Sequence, residues 1–253
     1  MKRLPVLMAV VGLLLLASSA FGQQVVPMTF TGWDGNSWDN GGTGFYYGSV
    51  NGVNVGPGNA SPGYFCDDFN DEIYIPESWQ AHAFQVSTLL SNWSALGGSV
   101  LFGGGFTGYA NVGAAGYLEM AVVVEQAFSN TLMFGATAND VSEVLWCITG
   151  GPGSACSSGS MSSAAYKLWQ YLTMTYGNLS QSQVASLASQ FANLWLYVPI
   201  NGSQSQGGQP QEMWGEVGVP EGGAALMYLL LAGVACFGAM FYSRGQRAKR
   251  ATA

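Results

Sequence analysis

Positive charge is scarce in this chain of 253 residues. Only seven residues are Lys or Arg, and Lys167 is the one basic residue between positions 23 and 220. The same stretch holds thirteen acidic residues. Nucleic acids and anionic membrane surfaces are polyanions, so a domain with this balance repels both of them. The sequence therefore predicts no nucleic-acid partner and leaves divalent cations or polycations as charged ligands.

Recognisable catalytic motifs are missing as well. His82 is the only histidine, and the chain has no GxSxG elbow, HExxH motif, Walker loop or dinucleotide fingerprint. One enzymatic alternative stays open, because paired carboxylates such as Asp67 and Glu119 could cleave glycans. Tryptophans at 33, 38, 79 and 93 would then stack sugars, although tryptophan also serves as core. The prediction is a protein that is not an enzyme, with a secreted glycan hydrolase as an alternative.

The first 22 residues are typical of a secretory signal peptide. Lys2 and Arg3 precede an apolar run from Leu4 to Ala17, and small residues follow at Ala20 and Gly22. The alternative is an N-terminal membrane anchor, but the run is short for a span. We expect residues 1–22 to be removed on export.

An apolar segment and a basic tail are predicted near the other end. Ala224–Tyr242 contains no charged residue and would extend roughly 28 Å as a helix, close to the thickness of a bilayer core. Basic residues follow at once and would set the topology by staying in the cytoplasm, namely Arg244, Arg247, Lys249 and Arg250. The sequence predicts one C-terminal transmembrane helix, 224–242, with a buried core helix as the alternative.

The residues before this segment resemble a PEP-CTERM sorting signal. The motif reads VPEGG, formed by Val219, Pro220, Glu221, Gly222 and Gly223, with glycines where the second proline of the family pattern stands. The resemblance implies an exosortase-like processing enzyme as partner and a Gram-negative host. It also implies anchoring at the inner membrane through the C-terminal helix, then transfer to the cell surface or into exopolysaccharide.

Residues 23–200 are predicted to form one exported α+β domain, followed by a polar linker at 201–218. Runs such as VVPMTFTGW, GFYYGSVNGV and GYFCDDF read as antiparallel strands, with VNG and DNGG as hairpin turns. LWLYVPI reads as a returning strand that stops at Pro199, and QEMWGEV as one more short strand within the linker. ESWQAHAFQVSTLLSNW is ambiguous between strand and helix.

Several helices are predicted between these strands. The first covers Ala114–Ser129. The second begins near Asn139 and Asp140, with Glu143 as the partner in a capping box. Two more follow, one closed by Gly177 and the other starting after Ser180 with Gln183 at the third position. Strands, then helices, then a returning strand indicate an α+β fold.

The exported part also resembles a group of PEP-CTERM proteins of soil bacteria. The similarity rests on FCDDF, YLEMAVVVEQ, NDVSEVLW and LYVPINGSQSQGGQPQEM, and covers most of the mature chain. The resemblance does not imply any particular catalytic or binding activity.

The cysteines of the exported part divide into a pair and a single residue. Cys147 and Cys156 enclose eight residues rich in Gly and Pro, so an oxidising location favours a disulfide between them over a zinc site. Cys66 is then left over and is predicted to be a buried free thiol. GYFC and EVLW weakly resemble thioester adhesin domains, but the required glutamine position holds Ser142, which cannot form that bond.

Acidic residues crowd the segment after Cys66. Asp67, Asp68, Asp71 and Glu72 offer hard oxygen ligands for Ca²⁺, with a solvated acidic surface as the alternative. The main prediction is a non-catalytic surface or extracellular-matrix protein, sorted by an exosortase-like system and associated with exopolysaccharide or biofilm. A calcium-dependent glycan-binding adhesin module is the second hypothesis.

Overall fold

A computed structural model describes residues 24–34, 36–38, 41–68, 74–150, 156–205 and 211–217. All of them belong to one unit, Gly22–Val219. The described strands are β1 (Gln24–Trp33), β2 (Asn36–Trp38), β3 (Gly41–Thr43), β4 (Tyr46–Val50), β5 (Val53–Val55), β6 (Phe65–Cys66), β7 (Glu77–Gln85), β8 (Trp195–Pro199) and β9 (Met213–Gly215). The described helices are α1 (Val86–Ser91), α2 (Trp93–Leu96), α3 (Gly113–Phe128), α4 (Ala138–Ile148), α5 (Ser163–Tyr176) and α6 (Gln181–Leu187).

The hairpin turn predicted at VNG is confirmed. Asn51 and Gly52 join β4 to β5, and both have positive φ, 49° and 79°. Asn and Gly tolerate this conformation, and a two-residue turn with positive φ at both positions matches the twist of the flanking strands. Gly41 and Gly42 of the DNGG segment lie in β3, which pairs antiparallel with β2 as a separate two-stranded sheet.

Seven strands form one antiparallel sheet in the order β5-β4-β1-β7-β8-β9-β6. The ambiguous ESWQAHAFQVSTLL segment divides at Gln85, as β7 followed directly by α1. The sheet is curled, because an antiparallel bridge between Tyr46 and Tyr64 connects β4 to the residue before β6. Two backbone hydrogen bonds of 2.8 and 3.0 Å join these tyrosines.

The two faces of the sheet bury different cores. One face packs against the helices through Phe65, Phe84, Leu196 and Trp214. The other face gathers its own apolar cluster, which includes Met28, Tyr46, Tyr64, Cys66, Trp79, Tyr197 and Met213. In β6, β8 and β9, neighbours along the strand alternate between the two clusters, as the side-chain period of two requires.

Helix α3 lies at the centre of the helical layer. It contacts α1, α4, α5 and α6, and eight of its sixteen residues are buried. Helix α3 and the starts of α4 and α6 lie within about two residues of their predicted positions, and α5 ends at Tyr176, directly before the predicted Gly177. Ser180 and Gln183 form the expected capping box of α6, whereas the box of α4 is Thr137 with Asp140, three residues before the predicted one.

The predicted fold class needs a correction in its last element. The sequence placed one transmembrane helix, 224–242, at the end of the fold, whereas the last described element is strand β9. No helix among the described residues is long and apolar enough to cross a membrane. The longest, α3, has 16 residues, fewer than the roughly 20 that a bilayer core requires. Residues 224–242 themselves lie outside the described ranges, and the described architecture is α+β.

The predicted polar linker at 201–218 includes one more short predicted strand, QEMWGEV. That strand exists as β9, and it lies between β8 and β6 in the large sheet. Met213 and Trp214 are fully buried, so these apolar side chains belong to the core of the domain.

Candidate functional site

Strands β6 and β9 bring two neighbouring pairs of reactive side chains together. Phe65 pairs with Trp214 and Cys66 with Met213, and the backbone N–H of Asp67 donates to the carbonyl of Glu212. Because side chains alternate across a sheet, this register places Asp67 opposite Glu212 on one face. It places Cys66 diagonal to Gln211 on the other face. We call the four residues Cys66, Asp67, Gln211 and Glu212 the β6–β9 junction.

The acidic half of the junction faces the helices. Asp67 and Glu212 are both fully buried. Trp214 Nε1 donates to Asp67 Oδ2 at 2.6 Å, and the Tyr117 hydroxyl of α3 donates to Glu212 Oε1 at 2.7 Å. The backbone N–H of Leu101 donates to Glu212 Oε2 at 3.0 Å. The pair therefore ties strands β6 and β9 to the central helix.

Burial sets the protonation of this acid pair. Burial, together with the nearby charge of Glu212, raises the pKa of Asp67 well above its ordinary value. Burial also raises the pKa of Glu212, to about 6, although hydrogen bonds from Asp67, Leu101 and Tyr117 act in the opposite direction. Two carboxylates in a dry site cannot both ionise at low cost, so burial favours the state in which Asp67 is protonated beside Glu212.

The other half of the junction joins a thiol to a carboxamide. Cys66 Sγ lies 2.6 Å from Gln211 Oε1 and 3.1 Å from the Asp68 carbonyl oxygen. The Asp68 backbone N–H donates to the sulfur at 3.3 Å, and the Trp146 side chain also hydrogen bonds to it. Burial and the carboxylates of Asp67 and Asp68 raise the pKa of the Cys66 thiol. A free thiol at this position would therefore be neutral, and the residue is fully buried.

Two of the four residues predicted to hold Ca²⁺ lie among the described residues. Asp67 and Asp68 are fully buried, and Asp67 is engaged with Trp214 and Glu212. Asp71 and Glu72 lie outside the described residues. The described ranges contain no group of three or more potential metal ligands with suitable geometry.

The predicted disulfide is confirmed. Cys147, in α4, is bonded to Cys156, with their Cα atoms 5.6 Å apart. Cys66 is outside any disulfide and buried, as expected. Ser142, at the position where thioester adhesins carry glutamine, has its hydroxyl 3.0 Å from the Gly44 backbone nitrogen, which donates to it.

The residues considered for glycan hydrolysis, Asp67 and Glu119, hydrogen bond to different partners. Glu119 accepts a hydrogen bond from Thr173 at 3.2 Å, while Asp67 is bound to Trp214. His82 lies on β7 between Val25 and Val198, and burial lowers its pKa. Of the tryptophans proposed to stack sugars, Trp79 is buried in the core.

Several predicted residues lie outside the described part of the chain. They are the signal peptide 1–22, the sorting motif Val219–Gly223, and the topology-setting residues Arg244, Arg247, Lys249 and Arg250. The structure therefore bears only on the domain within residues 24–217.

The sequence reasoning missed Gln211 and Glu212. They sit in a segment that reads as polar linker, 145 residues from Cys66 and Asp67. The one available signal was the apolar pair Met213 and Trp214 that follows them, which indicates the short strand QEMWGEV. Comparison of the chain with protein-family models, with characterised proteins and with solved structures gave no match.

Proposed function

We propose that this chain is a non-catalytic exported protein of the cell surface or extracellular matrix. An exosortase-like system would sort it through the signal at 219–253, and its domain would associate with exopolysaccharide. The observation that carries the proposal is the Cys147–Cys156 disulfide, because such bonds persist outside the reducing cytosol. The signal peptide at 1–22 and the VPEGG motif support the same route.

The environment of the acidic residues supports a role without catalysis. Asp67 and Glu212 are fully buried, and their partners are side chains and backbone of the same domain. A general acid or base has to come within hydrogen-bonding reach of a substrate. A pair enclosed in this way serves the packing of β6 and β9 against α3.

Sorting is tested by deleting 219–253 in a Gram-negative host that carries an exosortase. We expect the full chain in the envelope or matrix fraction and the shortened chain in the medium. The double variant Pro220→Ala/Glu221→Ala should leave the chain unprocessed. The matched control, Gln206→Ala/Gln209→Ala, alters two nearby polar residues and should be processed normally. A shortened chain that stays bound to the envelope would contradict the sorting role.

Export and matrix association have separate readouts. Mass spectrometry of the mature protein should find cleavage after Ala20 or Gly22 and an intact Cys147–Cys156 bond. Co-sedimentation of the purified protein with the host's exopolysaccharide tests the association. An uncleaved chain with reduced cysteines in the cytosol would refute export, and the absence of co-sedimentation would refute the matrix role alone.

A further inference from the structure

The contact between Cys66 and Gln211 is closer than a hydrogen bond from a thiol should be. Their Sγ and Oε1 atoms are 2.6 Å apart. Hydrogen bonds between two oxygen atoms cluster at about 2.7–2.8 Å. Sulfur is larger than oxygen and the thiol is a weak donor, so an S–H···O bond has to be longer than that. The contact therefore has another explanation.

The remaining contacts of the sulfur strengthen this reading. A thiol carries one proton, and the Asp68 carbonyl oxygen lies 3.1 Å from Sγ, an ordinary distance for accepting it. The Asp68 backbone N–H and the Trp146 side chain both approach the sulfur as donors. A sulfur and an oxygen approach each other as closely as Cys66 and Gln211 do when both are bonded to one carbonyl carbon.

We propose that Cys66 and Gln211 are joined by an internal thioester. The Cys66 sulfur attacks Cδ of the Gln211 side chain, an S–C bond forms, and the C–N bond breaks. The thiol proton leaves with the amide nitrogen as ammonia, so the step needs no oxidant or other reactant. The product is an acyl group that a primary amine can take. The amine nitrogen bonds to Cδ, the S–C bond breaks, and the amine proton passes to the sulfur.

The fold supplies what this chemistry needs. The β6–β9 register fixes Cys66 and Gln211 as diagonal neighbours on one face of the sheet, which makes their encounter intramolecular and oriented. Cys66 is 0% and Gln211 6% exposed, so water, the competing nucleophile, is largely excluded. Ser142 plays no part, since its hydroxyl is bound to Gly44. The cross-link goes beyond the proposed export and sorting and does not depend on them.

Peptide mapping of the protein purified after expression of the full chain tests the cross-link. Digestion with pepsin in acid should yield a Cys66 peptide joined to a Gln211 peptide, lighter by one ammonia than the two peptides together. Cys66→Ala should abolish the joined species, and so should Gln211→Asn, whose side chain is one methylene shorter. The control Gln80→Glu, on the exposed side of β7, should keep it. Retention of the Cys147–Cys156 disulfide shows that each variant has folded.

Methylamine in denaturant provides a second measurement. It should convert Gln211 to its methylamide and release a Cys66 thiol that iodoacetamide then alkylates. Glutamate at position 211 in the wild-type protein, and not in Cys66→Ala, would reveal a hydrolysed thioester and also supports the proposal. Complete alkylation of Cys66 in wild-type protein without amine, with the Gln211 amide intact, would overturn it.

Discussion

Burial favours a single shared proton on two carboxyl groups at the centre of this domain. Asp67 and Glu212 face each other across β6 and β9, and Trp214 and Tyr117 donate to their outer oxygens. A buried carboxylate is tolerated when its lone pairs are satisfied and its partner stays neutral. The pair therefore stabilises the sheet edge only while Asp67 holds its proton.

This arrangement predicts a dependence of stability on pH. Folding raises the pKa of both acids, so the folded state binds protons more tightly than the unfolded state. The free energy of unfolding is then highest below the unfolded pKa and falls as pH rises through the folded pKa. For Glu212 this window runs from 4.5 to about 6, and the raised pKa of Asp67 extends it to higher pH.

Asp67→Asn should flatten this dependence, because asparagine mimics the protonated acid and can both donate to Glu212 and accept from Trp214. We expect a gain on the order of 1–3 kcal/mol over wild type at pH 8 and no gain at pH 4. Urea unfolding across this range measures it. The exposed control Asp34→Asn should run parallel to wild type. If Asp67→Asn changed the free energy of unfolding by the same amount at every pH, the shared proton would be contradicted.

Residue-scale contacts could be predicted only where they were local in sequence. The Cys147–Cys156 disulfide closes nine positions, and a Gly- and Pro-rich loop makes that closure easy. The Cys66–Gln211 contact spans 145 positions. It depends on the pairing of β6 with β9, which no local pattern specifies, and the resemblance to thioester adhesins indicates position 142 instead.

At the scale of elements, one carboxylate organises two helix starts. Asp140 Oδ2 accepts from the backbone N–H of Thr137 at 2.6 Å and from its hydroxyl at 2.7 Å. Asp140 Oδ1 accepts from the hydroxyl of Ser162, whose own oxygen caps α5 through the N–H of Ala165. The start of α4 and the start of α5 are thus joined.

Asp140→Ala should therefore cost more than the loss of one cap. We expect about 2–3 kcal/mol from the free energy of unfolding, because the capping box and the Ser162 contact disappear together. The matched control is Gln183→Ala at the same position of the α6 box, where about 0.5–1 kcal/mol is expected. Thermal and urea unfolding compare them. If the two variants lost the same free energy of unfolding, Asp140 would stabilise only the start of α4.

The disulfide ends α4 with a covalent restraint. Replacing both cysteines, as Cys147→Ser/Cys156→Ser, should lower the free energy of unfolding by roughly 2–3 kcal/mol. Without the bond, the unfolded chain regains the conformational entropy that a closed loop of this length removes. Reduction of wild-type protein should give the same loss. The double variant should then be insensitive to reductant, and a further loss on reduction would point to another bond.

Helices were easier to predict than strands here for a physical reason. Caps and the 3.6-residue period are local, so α3, α5 and α6 follow from the residues they contain. Strand β9 is three residues long and follows a polar segment. Its position between β8 and β6 comes from tertiary packing of Met213 and Trp214, which overrides the local composition.

At the scale of the whole molecule, the sheet is held curled where β4 meets Tyr64. The Tyr46–Tyr64 bridge makes this closure, and the Tyr64 hydroxyl crosses the enclosed core to the carbonyl of Thr29. Gly48 lies beside that contact. A Cβ at position 48 would come within 1.9 Å of the Thr29 oxygen and 2.4 Å of the Tyr64 hydroxyl. The closure therefore requires glycine at position 48, because any side chain there would collide with these atoms.

Gly48→Ala should open or strain this closure. Backbone at Thr29 cannot yield without disturbing the β1–β4 pairing, so we expect a loss of about 3–5 kcal/mol. Gly32→Ala is the matched control, because nothing lies within 4 Å of a Cβ there, and its effect should stay within about 1 kcal/mol. Since Cys66 follows Tyr64 by two residues, Gly48→Ala should also expose the Cys66 sulfur to reagents. Equal stability of the two variants would show that the domain does not depend on this closure.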